Sequence, residues 1–269
     1  MSHQLIIAGF HRSGTSLVSQ LLHRAGLFLG YDLMGASFSN PHGHYEDIEV
    51  YNLHERILTD NGKTWLVTEP FLPVITGSHW RRMEQLIQRR NAEHDLWAFK
   101  DPRVCLFIMI WKYLLPKARA LLVYRHFSDT TYSLGRRQSS ELFMRSLGPQ
   151  HMYRRFWEEP DLALRMWLAH NELLLTFART YPEDVLAVSL RMVQNGFPVV
   201  KAVNQRWDLG LDEVPASEVL DPTVTERRPG RQPISDRRLI DRVEATWQAL
   251  EQLGERTKRL TEETTAQGR

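Results

Sequence analysis

The sequence predicts a single α/β domain, one parallel β-sheet with helices packed on both faces. Three observations carry that expectation. Short, wholly apolar runs recur along the chain, as suits strands buried on both faces of a parallel sheet. Segments of helical periodicity alternate with them. No Pro/Gly-rich linker divides the 269 residues, so one core is expected rather than two.

The elements follow in order. Leu5-Ile6-Ile7-Ala8 reads as the first buried strand. It enters the Gly-punctuated turn Gly9-Phe10-His11-Arg12-Ser13-Gly14-Thr15, after which Leu17, Leu21, Leu22 and Ala25 share one helical face and Gly26 stands as a C-terminal cap. Residues 35–44 are polar and rich in Gly and Pro, hence a loop. Helices are expected over 46–59, closed by Asn61-Gly62, and over 80–90. Leu96-Trp97-Ala98-Phe99 is the second strand, and residues 104–115 an apolar helix stopped by Pro116. Ala120-Leu121-Leu122-Val123-Tyr124 is the third strand. Helices over 129–137 and 161–179 precede a fourth, Val185-Leu186-Ala187-Val188-Ser189. An amphipathic helix over 239–253 closes the domain, taken as residues 1–255. The polar residues 256–269 are expected to form a frayed or disordered tail.

Composition removes several functional classes. The chain has 34 Lys+Arg against 32 Asp+Glu, a formal charge of +2, too balanced for nucleic-acid binding by bulk electrostatics. Cys105 is the only cysteine, which excludes an intrachain disulfide and a cysteine-rich zinc site. Its apolar setting, Val104-Cys105-Leu106-Phe107, suits a buried thiol. No apolar run approaches the roughly 18 residues of a membrane span. The chain opens on a strand-like segment, so no signal peptide and a cytoplasmic, reducing compartment are expected.

Gly9 to Ser16 has the strand–loop–helix setting and Gly-x4-Gly spacing of a nucleotide P-loop. In such a loop glycines let consecutive N–H groups turn inward, and the helix N-terminus favours an anion. A Walker loop needs Lys after its second Gly, where this chain has Thr15. The cation inside the loop is Arg12, whose planar fork suits phosphate or sulfate. The sequence therefore favours an anion held without metal over a magnesium–triphosphate. A tight packing turn is the alternative reading of the loop alone. Arg125 stands where the third strand ends, at the carboxyl edge that faces the crevice of such sheets, and Ser133 follows eight residues later. By themselves these two read more simply as a salt-bridge residue and a helix-surface residue.

Together, the Arg12-Ser13-Gly14-Thr15-Ser16 loop and the distant Arg125/Ser133 pair resemble the sulfotransferase family, whose members use 3′-phosphoadenosine 5′-phosphosulfate (PAPS). In motif style the likeness is to the bacterial, carbohydrate and protein-tyrosine branches. The resemblance implies a fold of the P-loop-containing nucleotide hydrolase type. It implies that Arg12, Ser13, Gly14, Thr15 and Ser16 hold the 5′-phosphosulfate, and that Arg125 and Ser133 hold the 3′-phosphate. There are departures. Many members carry Lys where this chain has Arg12, and Leu190-Arg191-Met192-Val193 stands where the family often shows Tyr-Glu-x-Leu. The family's late Gly-rich element has only a loose analogue in Arg227-Arg228-Pro229-Gly230-Arg231, where charge alone suggests that Arg228 contacts phosphate.

Sulfuryl transfer to a hydroxyl needs a base for the acceptor proton, cations for the sulfuryl oxygens, and in-line positioning. Glu46, where a Gly-rich loop opens a helix, resembles the glutamate base of the sugar- and tyrosine-sulfating branches. His44 and His42 compete with it, because an ordinary imidazole suits proton transfer. Lys100, in Phe99-Lys100-Asp101-Pro102-Arg103, resembles the cation that stabilises the bridging and sulfuryl oxygens, with Arg12 beside it. Asp101 and Arg103 are candidates for orienting the site or binding acceptor. Arg136-Arg137, Arg154-Arg155, Tyr153, Phe156 and Trp157 fall where the resemblance puts acceptor recognition, and also suit a solvated, helix-packing segment. The expected partner is a hydroxyl-bearing small molecule or glycan, with no metal and no nucleic acid. A P-loop kinase-like phosphotransferase and a non-catalytic adenine-nucleotide-binding protein are the competing classes.

Overall fold

The computed structural model describes residues 2–37, 40, 42–144, 150–221 and 236–267. Four strands, β1 (His3–Ala8), β2 (Leu96–Lys100), β3 (Arg119–Tyr124) and β4 (Val185–Ser189), form one parallel sheet in the order β2-β1-β3-β4. Ile7 of β1 is in register with Lys100 on one side and Leu121 on the other. The single α/β domain with a parallel sheet is thus the one its sequence predicts.

The strands read as unbroken apolar runs because both faces are covered. Leu5, Ile7, Ala98, Leu121, Val123, Leu186 and Val188 enter one core. Ile6, Ala8, Trp97, Phe99, Leu122 and Ala187 enter the other. The first core is closed by α1 (Thr15–Arg24), together with α8 (Leu190–Gln194) and α9 (Val199–Trp207). The second is closed by α2 (Ile48–Asp60), α3 (Gly77–Glu93), α4 (Val104–Leu114), α7 (Leu162–Thr180) and α10 (Arg237–Gln267). Trp97, Trp111 and Trp167 are wholly buried in it, and truncating a core side chain of this size costs about 3–5 kcal/mol. The remaining helices, α5 (Phe127–Met144) and α6 (Gln150–Glu158), extend from the carboxyl end of β3.

α10 differs from expectation. The segment expected as a polar tail continues the helix to Gln267. Thr257 and Thr261 are buried, and Thr257 Oγ1 accepts from the backbone N–H of Ala187 in β4 at 2.9 Å. The buried hydroxylated residues Thr257 and Thr261, with the partly buried Leu260, dock this stretch. Cys105 is fully buried, and burial raises its thiol far above the ordinary range, with Asp101 adding to the effect. Among the described residues no helix is long and apolar enough to cross a membrane.

β1 lies inside the sheet, with β2 on one side and β3 on the other. The carboxyl ends of the strands deliver three loops to one edge, the crevice position of open α/β sheets.

Candidate active site

The β1–α1 loop passes tightly under β3. A Cβ on Gly9 would lie 2.2 Å from the carbonyl oxygen of Val123, so only glycine fits there. Arg12 and Gly14 adopt positive φ, 66° and 97°, which curls the loop. Gly14 caps α1 without a side-chain hydrogen bond, leaving the first N–H groups of the helix to whatever occupies the loop. Ser13 Oγ is buried with no hydrogen-bond partner among the described residues.

β3 brings the second set of residues to the same place. Arg12 Nε donates to Ser133 Oγ at 3.0 Å, across 121 residues of sequence. Arg125 Nη1 donates to the carbonyl of Arg12 at 3.4 Å, and Arg125 Nε lies 3.9 Å from Asp129. Burial lowers the Arg12 guanidinium to about 10, and Arg137, Arg125 and Arg136 push in the same direction. Arg125 is also lowered by burial, against the pull of Asp129. Crowded guanidinium groups of this kind favour an incoming anion, which would relieve their mutual repulsion.

The end of β2 supplies the third set. Lys100 is 1% exposed and uses its three protons on Ser16 Oγ at 3.2 Å, the carbonyl of His44 at 2.9 Å and Glu46 Oε1 at 3.0 Å. Glu46 lies just before α2, whose N-cap is Asp47, accepting from the N–H of Glu49. Glu46 is therefore freed from the capping role that a first-turn carboxylate would fill. Asn40 donates to Ser16 Oγ at 3.3 Å, tying this loop to α1. His44 shares a hydrogen bond with Ser37 Oγ at 2.9 Å. Burial lowers His44 to about 4, followed by Arg137, Lys100 and Arg12, so its imidazole is neutral at pH 7.

These residues enclose a cavity of about 440 Å³. Of the candidates read from the sequence, Arg12, Gly14, Thr15, Ser16, His42, His44, Glu46, Lys100, Arg125 and Ser133 line it, as do Arg136 and Arg137, whereas Ser13 is fully buried and absent from the lining. His42 bonds Asp221 at 3.0 Å at the rim. Arg228, with the rest of 227–231, lies outside the described residues. Among the described residues no group of three His, Cys, Asp or Glu is arranged to hold a metal ion.

Other candidates stand elsewhere. Asp101 and Arg103 do not line the cavity. Asp101 is fully buried and accepts from Arg103 Nη1 at 2.8 Å and His54 Nδ1 at 2.6 Å. Trp111 Nε1 donates to His54 Nε2 at 2.8 Å, which fixes the tautomer with its proton on Nδ1. Burial alone would raise the Asp101 carboxyl, but Arg103 and His54 outweigh it and hold it well below the usual carboxylate range. This network braces β2 against α2 and α4 from within. On α6, Arg154 and Arg155 pair with Glu158 and Glu159 one turn on, and Phe156 stacks on Trp65. Tyr153 and Trp157 are absent from the cavity lining too.

No local pattern marks His11 as a cavity residue or His54 as a buried brace. His11 sits in the loop itself, its Nε2 buried and without a partner among the described residues. Burial, followed by Arg103, His170 and Arg137, lowers it well below an ordinary histidine.

No protein-family model and no curated protein matches the chain. Among solved structures it is similar to a crystal structure of retinol dehydratase in complex with androsterone and the inactive cofactor PAP, at 12% identity and a TM-score of 0.34. The match covers 80% of this chain and 62% of that one, so the chain spans less than two thirds of that protein's length. At that distance the likeness adds nothing to the chemistry read from the residues.

Proposed function

We propose that the chain is a sulfotransferase that moves a sulfuryl group from PAPS to the hydroxyl of a carbohydrate, glycolipid or similar acceptor, without a metal. The observation that carries this reading is one cavity in which the lysine-less anion loop, the Arg12–Ser133 contact and the Lys100–Glu46 pair converge. The residues fit a doubly anionic donor. The buried Ser13 Oγ lacks a partner, the α1 N-terminus lacks a side-chain cap, and burial and mutual repulsion depress the Arg12 guanidinium.

In this reading Arg12, Ser13, Gly14, Thr15 and Ser16 hold the 5′-phosphosulfate, Arg125 and Ser133 the 3′-phosphate, and Arg228 adds charge to the phosphate site. The bound donor supplies an activated sulfuryl group on a phosphate leaving group. Lys100 Nζ, next to Ser16, neutralises charge developing on the sulfuryl oxygens. Arg12 adds a second cation there. Glu46 takes the acceptor proton. Lys100 engages its Oε1, and Oε2, with no hydrogen bond among the described residues, is the oxygen open to the acceptor. His44, at about 4, has lost much of the basicity that would recommend it as the base, and shapes the Glu46 side of the cavity instead.

The test is incubation with radiolabelled PAPS in the presence of EDTA, with carbohydrate, lipid, phenol and peptide pools as acceptors. Label should pass to one pool as 3′-phosphoadenosine 5′-phosphate (PAP) accumulates. In a parallel incubation with magnesium–ATP and no EDTA, transfer of the γ-phosphate to an acceptor, with no sulfuryl transfer from PAPS, would make the chain a phosphotransferase. PAP binding without transfer to any pool would make it a nucleotide-binding protein.

A further inference from the structure

We infer that the acceptor carries an anionic group beside its hydroxyl, and that Arg137 recognises it. This deepens the sulfotransferase reading of the cavity and rests on it.

The cavity's cations are not equivalent. Lys100 gives its three protons to fixed acceptors, Arg12 bonds Ser133, and Arg125 lies between the Arg12 carbonyl and Asp129. Arg137 lines the same cavity, yet its Nε is buried with no hydrogen-bond partner among the described residues, and no ion pair of its guanidinium is found among them. Arginine does not shed its charge to escape burial, so a guanidinium whose buried Nε lacks a hydrogen-bond partner is costly until an anion arrives. Burial lowers Arg137, and Glu46 is the largest influence opposing that.

Arg137 stands between the donor loop, where its charge acts on Arg12, and the Glu46 side of the cavity. Ser133, Arg137 and Ser140 follow one another along one face of α5 and all line the cavity. Ser133 meets Arg12 at the loop end. Arg137 stands one turn, or about 5–6 Å, further along. Its electrostatic neighbours include Glu46, His44 and His11. It therefore reaches the group proposed to take the acceptor proton as well as the loop. The donor's anionic groups are met by the loop and by Arg125 with Ser133, so the anion that satisfies Arg137 comes from the acceptor. A guanidinium fork selects planar or tetrahedral oxyanions, which makes a carboxylate or a sulfate the fitting group. His11 Nε2, also buried without a partner, gives the same region a neutral hydrogen-bonding atom.

The experiment is calorimetric titration of the PAP-bound protein with two matched pairs: methyl glucuronide against methyl glucoside, and para-hydroxyphenylacetate against para-cresol. In at least one pair the charged member should bind tenfold or more tightly than its neutral partner. Arg137→Gln should abolish that preference and Arg137→Lys should keep part of it, both with PAP affinity within about twofold of wild type. Equal affinities within both pairs, or no binding by either charged member, overturns the inference. So does a loss of PAP affinity in Arg137→Gln as large as that in Arg125→Ala, which would make Arg137 a donor contact. Should PAP itself fail to bind, the sulfotransferase reading falls. The same pairs titrated onto the protein alone then still decide the claim about Arg137.

Discussion

On the β2 side of the cavity Lys100 is surrounded by acceptors, one of them the Glu46 carboxylate, so its charge is balanced before any ligand enters. On the β3 side Arg12 and Arg125 lie close together, and burial, followed by the charges of Arg137, Arg125 and Arg136, depresses Arg12 to about 10. The first arrangement is an ion pair held in a fixed geometry, suited to a group that acts during a reaction and must not move. The second is an excess of positive charge around a loop of inward N–H groups, suited to holding an anion that comes and goes. The two walls therefore should respond to different measurements, turnover for one and ligand affinity for the other.

The largest expected effect breaks the β2 wall. Glu46→Gln keeps the size of the side chain and removes the base, so turnover should fall by roughly a hundredfold to ten-thousandfold. PAP affinity should stay near wild type. If Glu46→Gln keeps full activity while His44→Ala loses it, the base is His44 and the division of labour along this wall must be redrawn.

The next effect belongs to the β3 wall. Arg125→Ala should weaken PAP by about 2–5 kcal/mol, the range for unpairing a buried charged partner. AMP, which lacks the 3′-phosphate, should bind both proteins almost equally. A common loss for both nucleotides would put Arg125 somewhere other than at the 3′-phosphate.

A smaller effect sharpens the contrast through pH. His44 titrates at about 4 in the folded protein against an ordinary 6.5. As pH falls below 6.5 the unfolded chain takes up a proton that the folded protein refuses. The stability gained by keeping His44 neutral is therefore complete above about pH 6.5 and lost towards pH 4, to a total of roughly 3 kcal/mol. Urea midpoints measured across this window should fall more steeply for wild type than for His44→Gln. Equal slopes would show that burial and the cations around His44 do not keep it neutral in the folded protein.

Much of this was legible in the sequence, for physical reasons. The four strands were readable to within a residue or two because a sheet covered on both faces needs continuous apolar runs such as Leu121-Leu122-Val123. α8 and α9 were not read, since short helices around Asn195-Gly196-Phe197-Pro198 give too little periodicity. The last turns of α10 escaped because Gly254, Thr257 and Thr261 present a buried stripe with no apolar signature. In the site, the loop and Arg125 carried local signals of glycine spacing and strand-end position. The pairing of Lys100 with Glu46 joins residues far apart in sequence, and no local pattern announces it. Lys100 and Asp101 show the limit most sharply. They are adjacent in sequence, but Lys100 lines the cavity while Asp101 is sealed into a brace with His54 and Arg103.

The central claim is that the excess charge around the β1–α1 loop is a metal-independent site for a nucleotide with both 3′- and 5′-phosphates. Thermal unfolding with PAP in EDTA tests it most directly. PAP at a hundredfold excess over its Kd should add about 2.7 kcal/mol of stability without any divalent cation. Strong stabilisation by magnesium–ATP with none by PAP would contradict the account.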